Sequence, residues 1–208
     1  MIIKVCGMKY PDNIKELNKL PIDLMGMIFY DKSSRYINGL TGYDLFEVPQ
    51  RIKLTGVFVN ADINYIAEKI VQYGLDIIQL HGNESPAFCN ELNKTMPVIK
   101  AFSIADASDF EQAKQYEGVA DYFLFDTKTT QYGGSGQKFD WSILAEYKGN
   151  TPFLLSGGIS IDDVEAIKEI KHPRFAGIDL NSRFETEPGL KDIELLQQFI
   201  KALNDEQD

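Results

Sequence analysis

Phe153-Leu154-Leu155-Ser156-Gly157-Gly158-Ile159-Ser160 sets an apolar run, a glycine pair and a helix start side by side. Beyond it, Ser160 and Asp163 have the spacing of a capping box, and Val164, Ile167 and Ile170 repeat at helical period. Another apolar run follows at residues 175–180. The unit reads strand, glycine turn, helix, strand. Its strands are almost continuously apolar, as expected of strands buried on both faces, which favours a parallel sheet covered by helices.

The same alternation extends in both directions. Apolar runs occupy residues 2–6, 23–29, 54–59, 76–80, 98–102, 122–125, 153–155 and 175–180. Asp62 is placed to cap a helix carrying Ile63, Ile66, Ala67, Ile70 and Val71, with Gly74 at its end. A last helix from about Lys191 carries Ile193, Leu196, Ile200 and Leu203, and the tail 204–208 is expected to fray. The weakest unit is the second, where Pro49 interrupts the helix expected after Tyr43.

Eight units in 208 residues leave 26 residues apiece, which a single-domain (β/α)8 TIM barrel spanning 1–208 accommodates most economically. An open doubly wound sheet is the alternative, because alternation does not itself require closure. No linker composition divides the chain. The longest loops, 30–41 and 127–138, would follow strand C-termini, on the face where such barrels build their sites.

Composition narrows the function classes. Hydrophobic residues at 44% and charged residues at 25% are ordinary for a soluble globular protein. A net charge of −10 works against any sequence-independent grip on nucleic acid, although backbone N–H groups and local arginines can still bind a small anion. The only cysteines, Cys6 and Cys89, are far apart and form no CxxC, so neither disulfides nor a zinc site is indicated and a reducing cytoplasm fits. The N-terminus lacks the pattern of a signal peptide, and no apolar run reaches about 18 residues, so no membrane partner is expected.

Several residues invite both a structural and a chemical reading. Cys6 at the first strand's end is either a buried small hydrophobe or a base, and a base needs nearby positive charge or amide dipoles to lower its pKa from about 8.5. Asp126, closing the sixth run, either caps the next turn or donates a proton. Arg35 is a solvated loop residue or an anion ligand, and His81 a structural histidine or a site residue. Cys89 reads as core. Gly133-Gly134-Ser135-Gly136 matches neither a P-loop nor a dinucleotide fingerprint. Ser156-Gly157-Gly158 and Asp179-Leu180-Asn181-Ser182-Arg183 are better placed, after the seventh and eighth strands, where barrels of this kind bind phosphate.

Taken in order, Lys4-Val5-Cys6-Gly7-Met8, Ser34-Arg35-Tyr36, Gly56-Val57-Phe58-Val59-Asn60, Gln79-Leu80-His81-Gly82, Phe125-Asp126, Gly133-Gly134-Ser135-Gly136, Leu155-Ser156-Gly157-Gly158 and Gly177-Ile178-Asp179-Leu180-Asn181-Ser182 resemble the phosphoribosylanthranilate isomerases of tryptophan biosynthesis. Each motif is weak alone, but they occur in order, one at nearly every strand end. The resemblance implies a barrel without metal or organic cofactor and a phosphosugar substrate; the sequence itself leaves monomer and homodimer both open. It further implies an Amadori rearrangement in which Asp126 protonates the furanose oxygen and Cys6 takes the proton from ribose C2. By the same likeness Arg35 holds the anthranilate carboxylate, His81 lies near the site, and Gly134, Ser135, Gly157, Gly158, Asn181 and Ser182 hold the phosphate. Arg183 departs from the pattern, standing where the family often has glycine, and GGSG replaces the commoner GGTG. An isomerase of the related histidine-pathway aminoaldose is disfavoured, since a version acting on both substrates would be expected to pair two aspartates and the first strand here ends in Cys6. A non-catalytic phosphosugar-binding module is the rival from another class; retention of both Cys6 and Asp126 argues against it.

Overall fold

The computed structural model describes residues 1–127 and 140–205. Eight strands, β1 (Ile2–Val5), β2 (Leu24–Ile28), β3 (Lys53–Phe58), β4 (Ile77–Leu80), β5 (Val98–Ile104), β6 (Tyr122–Thr127), β7 (Phe153–Leu155) and β8 (Phe175–Leu180), form one closed parallel barrel in sequence order. Closure is made by β8 pairing with β1, with Ile2 opposite Gly177 and Val5 opposite Leu180. That seam excludes the open doubly wound sheet. All eight apolar runs became strands, each end within two residues of its expected place.

The strands are apolar throughout because both faces are covered. One face looks into the barrel, where Leu24, Ile99, Ala101, Leu124 and Leu154 pack together. The other meets the helices across a much larger core, with Phe58, Phe123, Phe125 and Phe153 fully buried. Helices α1 (Pro11–Leu17), α2 (Ile63–Tyr73), α3 (Pro86–Asn93), α4 (Phe110–Ala113), α5 (Val164–Lys168) and α6 (Ile193–Asn204) supply much of that cover. The Asp62 carboxylate accepts from the backbone N of Asn64 and Tyr65, at 2.9 and 3.0 Å, and Gly74 ends α2 at φ 63°, as its left-handed position demands. The Ser160–Asp163 capping box forms, yet it opens a 3-10 turn, Ile161–Asp163, and α5 stops at Lys168, short of Ile170. Of the tail, Asn204 ends α6, and residues 206–208 lie outside the described part.

The second unit has no α-helix, only the 3-10 turn Gly42–Leu45, in keeping with the break expected around Pro49. After β6 the described residues likewise hold only a 3-10 segment, Trp141–Glu146. There Tyr147 takes over the covering role, its ring 5.1 Å from Phe125 and 5.5 Å from Phe153. One element has no counterpart in the sequence reading: a two-stranded hairpin, β9 (Glu185–Glu187) with β10 (Leu190–Lys191), between β8 and α6. Pro188-Gly189 turns it, with Gly189 at φ 88°, and that dipeptide was its signal.

Candidate active site

Side chains alternate along a strand, so the residues at or just past the strand C-termini converge on the barrel mouth. There Cys6, Val57, Val59, Gln79, His81, Asp126, Ser156, Gly157, Gly158, Asp179, Asn181 and Ser182 line one cavity, walled further by Ile28, Tyr30, Ser33 and Ile159. A broader, more open groove lies at the other end of the barrel, by the loops that enter β7 and β8, and it contains neither the thiol nor Asp126.

Cys6 is 3% exposed, and its backbone N donates to Leu180 O at 2.9 Å, fixing it to the end of β8. Space for its sulfur exists because residue 26 is glycine: a Cβ there would sit 2.6 Å from Sγ. Below it, two residues back on the same face, the Lys4 ammonium donates to Asp179 Oδ1 at 2.8 Å with no exposure of its own. Burial pushes the Cys6 thiol up, the Lys4 charge pulls it down, Asp179 adds to the push, and Lys191 also lowers it; the net direction is upward. The positive charge that a cysteine base requires is therefore present, but burial outweighs it. Lys4 itself is lowered by burial, more than offset by Asp179 and Cys6, so it is held above its ordinary value.

Asp126 makes a turn contact with one carboxylate oxygen and turns the other to a neighbouring ring. Its Oδ1 accepts from the backbone N of Thr127 at 2.9 Å, a turn contact, while Oδ2 faces His81 Nε2 at 3.4 Å. The His81 Nδ1 lies 3.1 Å from the Gln79 side-chain nitrogen, so the ring is braced from behind. Both side chains are largely buried yet open to the cavity, at 19% for His81 and 16% for Asp126. Gly157 makes this approach possible: it has φ 93°, and a Cβ there would press on Thr127 and lie 2.9 Å from Asp126 Oδ1. Gly158 follows at φ 70°, leaving the backbone amides after β7 unshielded by side chains.

Arg35 is held differently. Its Nε and Nη2 grip the Glu185 carboxylate at 2.7–3.0 Å, with side-chain exposures of 12% and 4%. Lys191 Nζ joins Glu185 Oε1 at 2.5 Å and Asn181 Oδ1 at 2.8 Å. Burial alone would raise Glu185, but Arg35 and Lys191 hold it below its ordinary range.

Comparison with known proteins gives the family. The family model described as N-(5'phosphoribosyl)anthranilate (PRA) isomerase matches residues 3–202. The chain belongs to that family. The isomerase of Parabacteroides distasonis is 54% identical over 206 residues, covering 98% of this chain and 93% of its own. The solved isomerase of Thermotoga maritima superposes with a TM-score of 0.84 at 32% identity over 98% of both chains. Another solved phosphoribosyl anthranilate isomerase, in complex with reduced 1-(o-carboxyphenylamino)-1-deoxyribulose 5-phosphate, superposes at 0.83 with 29% identity over 98% of both.

Of the residues the sequence singled out in this isomerase-family chain, Cys6, His81, Asp126, Gly157, Gly158, Asn181 and Ser182 share the one cavity. Arg35 does not line it; its stem crosses Gly7, and its head turns to Glu185. Gly134 and Ser135 lie outside the described residues. Arg183 is exposed in the 3-10 turn Ser182–Phe184 and does not line the cavity. Cys89 is core, as read, with burial pushing its thiol up to about 11. Lys4, Gln79, Asp179, Glu185 and Lys191 were not singled out. The first three stand two residues before Cys6, His81 and Asn181, so strand alternation marks them as facing inward. Glu185 and Lys191 had no such signal, since the hairpin carrying them was not read.

Proposed function

We propose that Cys6 and Asp126 are the base and the acid of an N-(5'-phosphoribosyl)anthranilate isomerase, converting its substrate to 1-(2-carboxyphenylamino)-1-deoxyribulose 5-phosphate. The observation that carries this reading is a thiol just past the end of β1 and a carboxyl on β6, three strands away, lining one cavity that also receives the loops after β7 and β8. Asp126 protonates the furanose oxygen as the C1–O bond breaks, leaving a Schiff base to the anthranilate nitrogen. The Cys6 thiolate takes the proton from C2, giving an enolamine. Protonation at C1 and loss of the C2 hydroxyl proton yield the ketone, so the isomerisation is proton-neutral. Ring opening needs a proton delivered to oxygen and C2 needs one removed, and two groups of different pKa divide that work.

Supporting roles follow from placement. His81 bears on Asp126 Oδ2 and orients the acid. Gly157 and Gly158 amides, with Asn181 and Ser182, receive the phosphate at the position such barrels use. Arg35 takes the anthranilate carboxylate on the edge of its planar fork that Glu185 does not hold. Two free, buried cysteines suit the cytoplasm, and among the described residues no helix is long and apolar enough to cross a membrane. The test is the loss of phosphoribosylanthranilate fluorescence with purified protein. Turnover is expected, and none beside an active control enzyme would overturn the reading.

A further inference from the structure

We propose that Glu185 is a positioning residue that aims Arg35 at the carboxylate of the substrate's aryl ring, and so sets the preference for a carboxylated arylamine; this rests on the assignment of Arg35 made above. A guanidinium presents five N–H donors in a planar fork and can meet one carboxylate on each of two edges. Glu185 occupies the Nε/Nη2 edge, with distances of 2.9, 3.0 and 2.7 Å. Among the described residues nothing bonds to Nη1, which leaves the second edge for another carboxylate.

Glu185 is anchored independently of Arg35. Its Oε1 also accepts from Lys191 Nζ at 2.5 Å and from the backbone N of Gly189 at 3.1 Å. Lys191 in turn is clasped through its backbone by the Asn13 side chain at 2.8 and 2.9 Å and reaches Asn181 Oδ1. The hairpin thus ties Glu185 to α1 and to the end of β8. At its other end the Arg35 stem runs over Gly7, where a Cβ would lie 2.8 Å from Arg35 Cδ and 3.0 Å from Asn181 Oδ1. A long, flexible side chain on a loop is fixed at stem and head before any ligand arrives, so its ordering cost is not charged to binding.

The experiment measures inhibition by reduced 1-(o-carboxyphenylamino)-1-deoxyribulose 5-phosphate and by its counterpart lacking the ring carboxyl, in wild type, Glu185→Gln, Arg35→Ala and the double variant. Glu185→Gln is expected to weaken the carboxylated inhibitor about 10-fold, to leave the other unchanged, to raise KM with kcat within about 2-fold, and to add nothing to Arg35→Ala. Equal weakening of both inhibitors, or additivity in the double variant, would mean a structural role only and overturn the proposal. A Glu185→Gln enzyme with wild-type selectivity beside a damaged Arg35→Ala sinks the positioning role alone. An unaffected Arg35→Ala enzyme sinks the Arg35 assignment and, with it, the proposal.

Discussion

At Gly26 packing and chemistry meet, since a single methyl at that position would displace the Cys6 sulfur. Cys6→Ala and Asp126→Asn should each lower kcat by about 100-fold or more, the usual contribution of a positioned acid or base, with the fold retained by circular dichroism. Near-normal turnover in either would remove that residue from the chemistry. Lys4 gives a sharper test, because its charge opposes the effect of burial on the thiol. On the proposed assignment the base works as thiolate, so Lys4→Met should move Cys6 further up and shift the rise of kcat/KM to higher pH, lowering activity at any pH below that rise. An unmoved pH profile would show that Lys4 does not tune the base. The same change strands the Asp179 carboxylate in the barrel, at a cost of about 3–5 kcal/mol. Cys6 and Asp126 were legible because each closes an apolar run, where a polar side chain stands out. Lys4 was less so, because a lysine inside such a run stands out only once alternation assigns it to the face of Cys6. Arg35 was legible as a residue but not as a geometry, since its partner Glu185 is 150 positions away.

Among the elements, α2 was readable from both ends because its signals are local: a carboxylate that reaches two backbone N–H groups and a glycine that turns left-handed. Asp62→Ala should cost about 1 kcal/mol through the loss of that cap. In a chain of this size that lowers Tm by about 2–4 °C, with kcat/KM unchanged because α2 contributes no residue to the cavity. An unchanged Tm would mean that water replaces the carboxylate at no cost. Helix α5 shows where local signals stop being sufficient. Its capping box formed, but Ile170 falls beyond its end, because His172-Pro173 draws the chain out of helix two residues later. The hairpin β9–β10 is the opposite case, too short for a periodic signature, held by Asn13 on α1 and by Arg35 on a distant loop. Short elements stabilised by remote partners leave little trace in their own residues.

For the whole molecule, closure is the property that alternation cannot encode, because a buried strand reads alike in an open sheet and in a barrel. What decides it is the β1–β8 seam, and there the sequence makes one local concession. Gly177 lies opposite Ile2, and a Cβ on it would run into the Ile2 carbonyl and side chain. Its φ is not in the left-handed region, so the glycine is required for close approach rather than for backbone freedom. Gly177→Ala should force the two strands apart, costing about 1–3 kcal/mol by overpacking. The strain does not stay at the seam. Further along these same strands Lys4 pairs with Asp179, and just past the end of β1 the Cys6 amide is bonded to Leu180. Widening the seam therefore moves the thiol and the Asn181-Ser182 loop relative to Asp126 on β6, two strands round the barrel from β8, and a misplacement of this kind lowers kcat. Asp62→Ala provides the control, a loss of stability without a change at the mouth. At temperatures well below both Tm values, Gly177→Ala should show reduced kcat/KM while Asp62→Ala does not. Equal activities at equal folded fractions would mean that the seam sets stability alone and that the mouth is positioned from elsewhere.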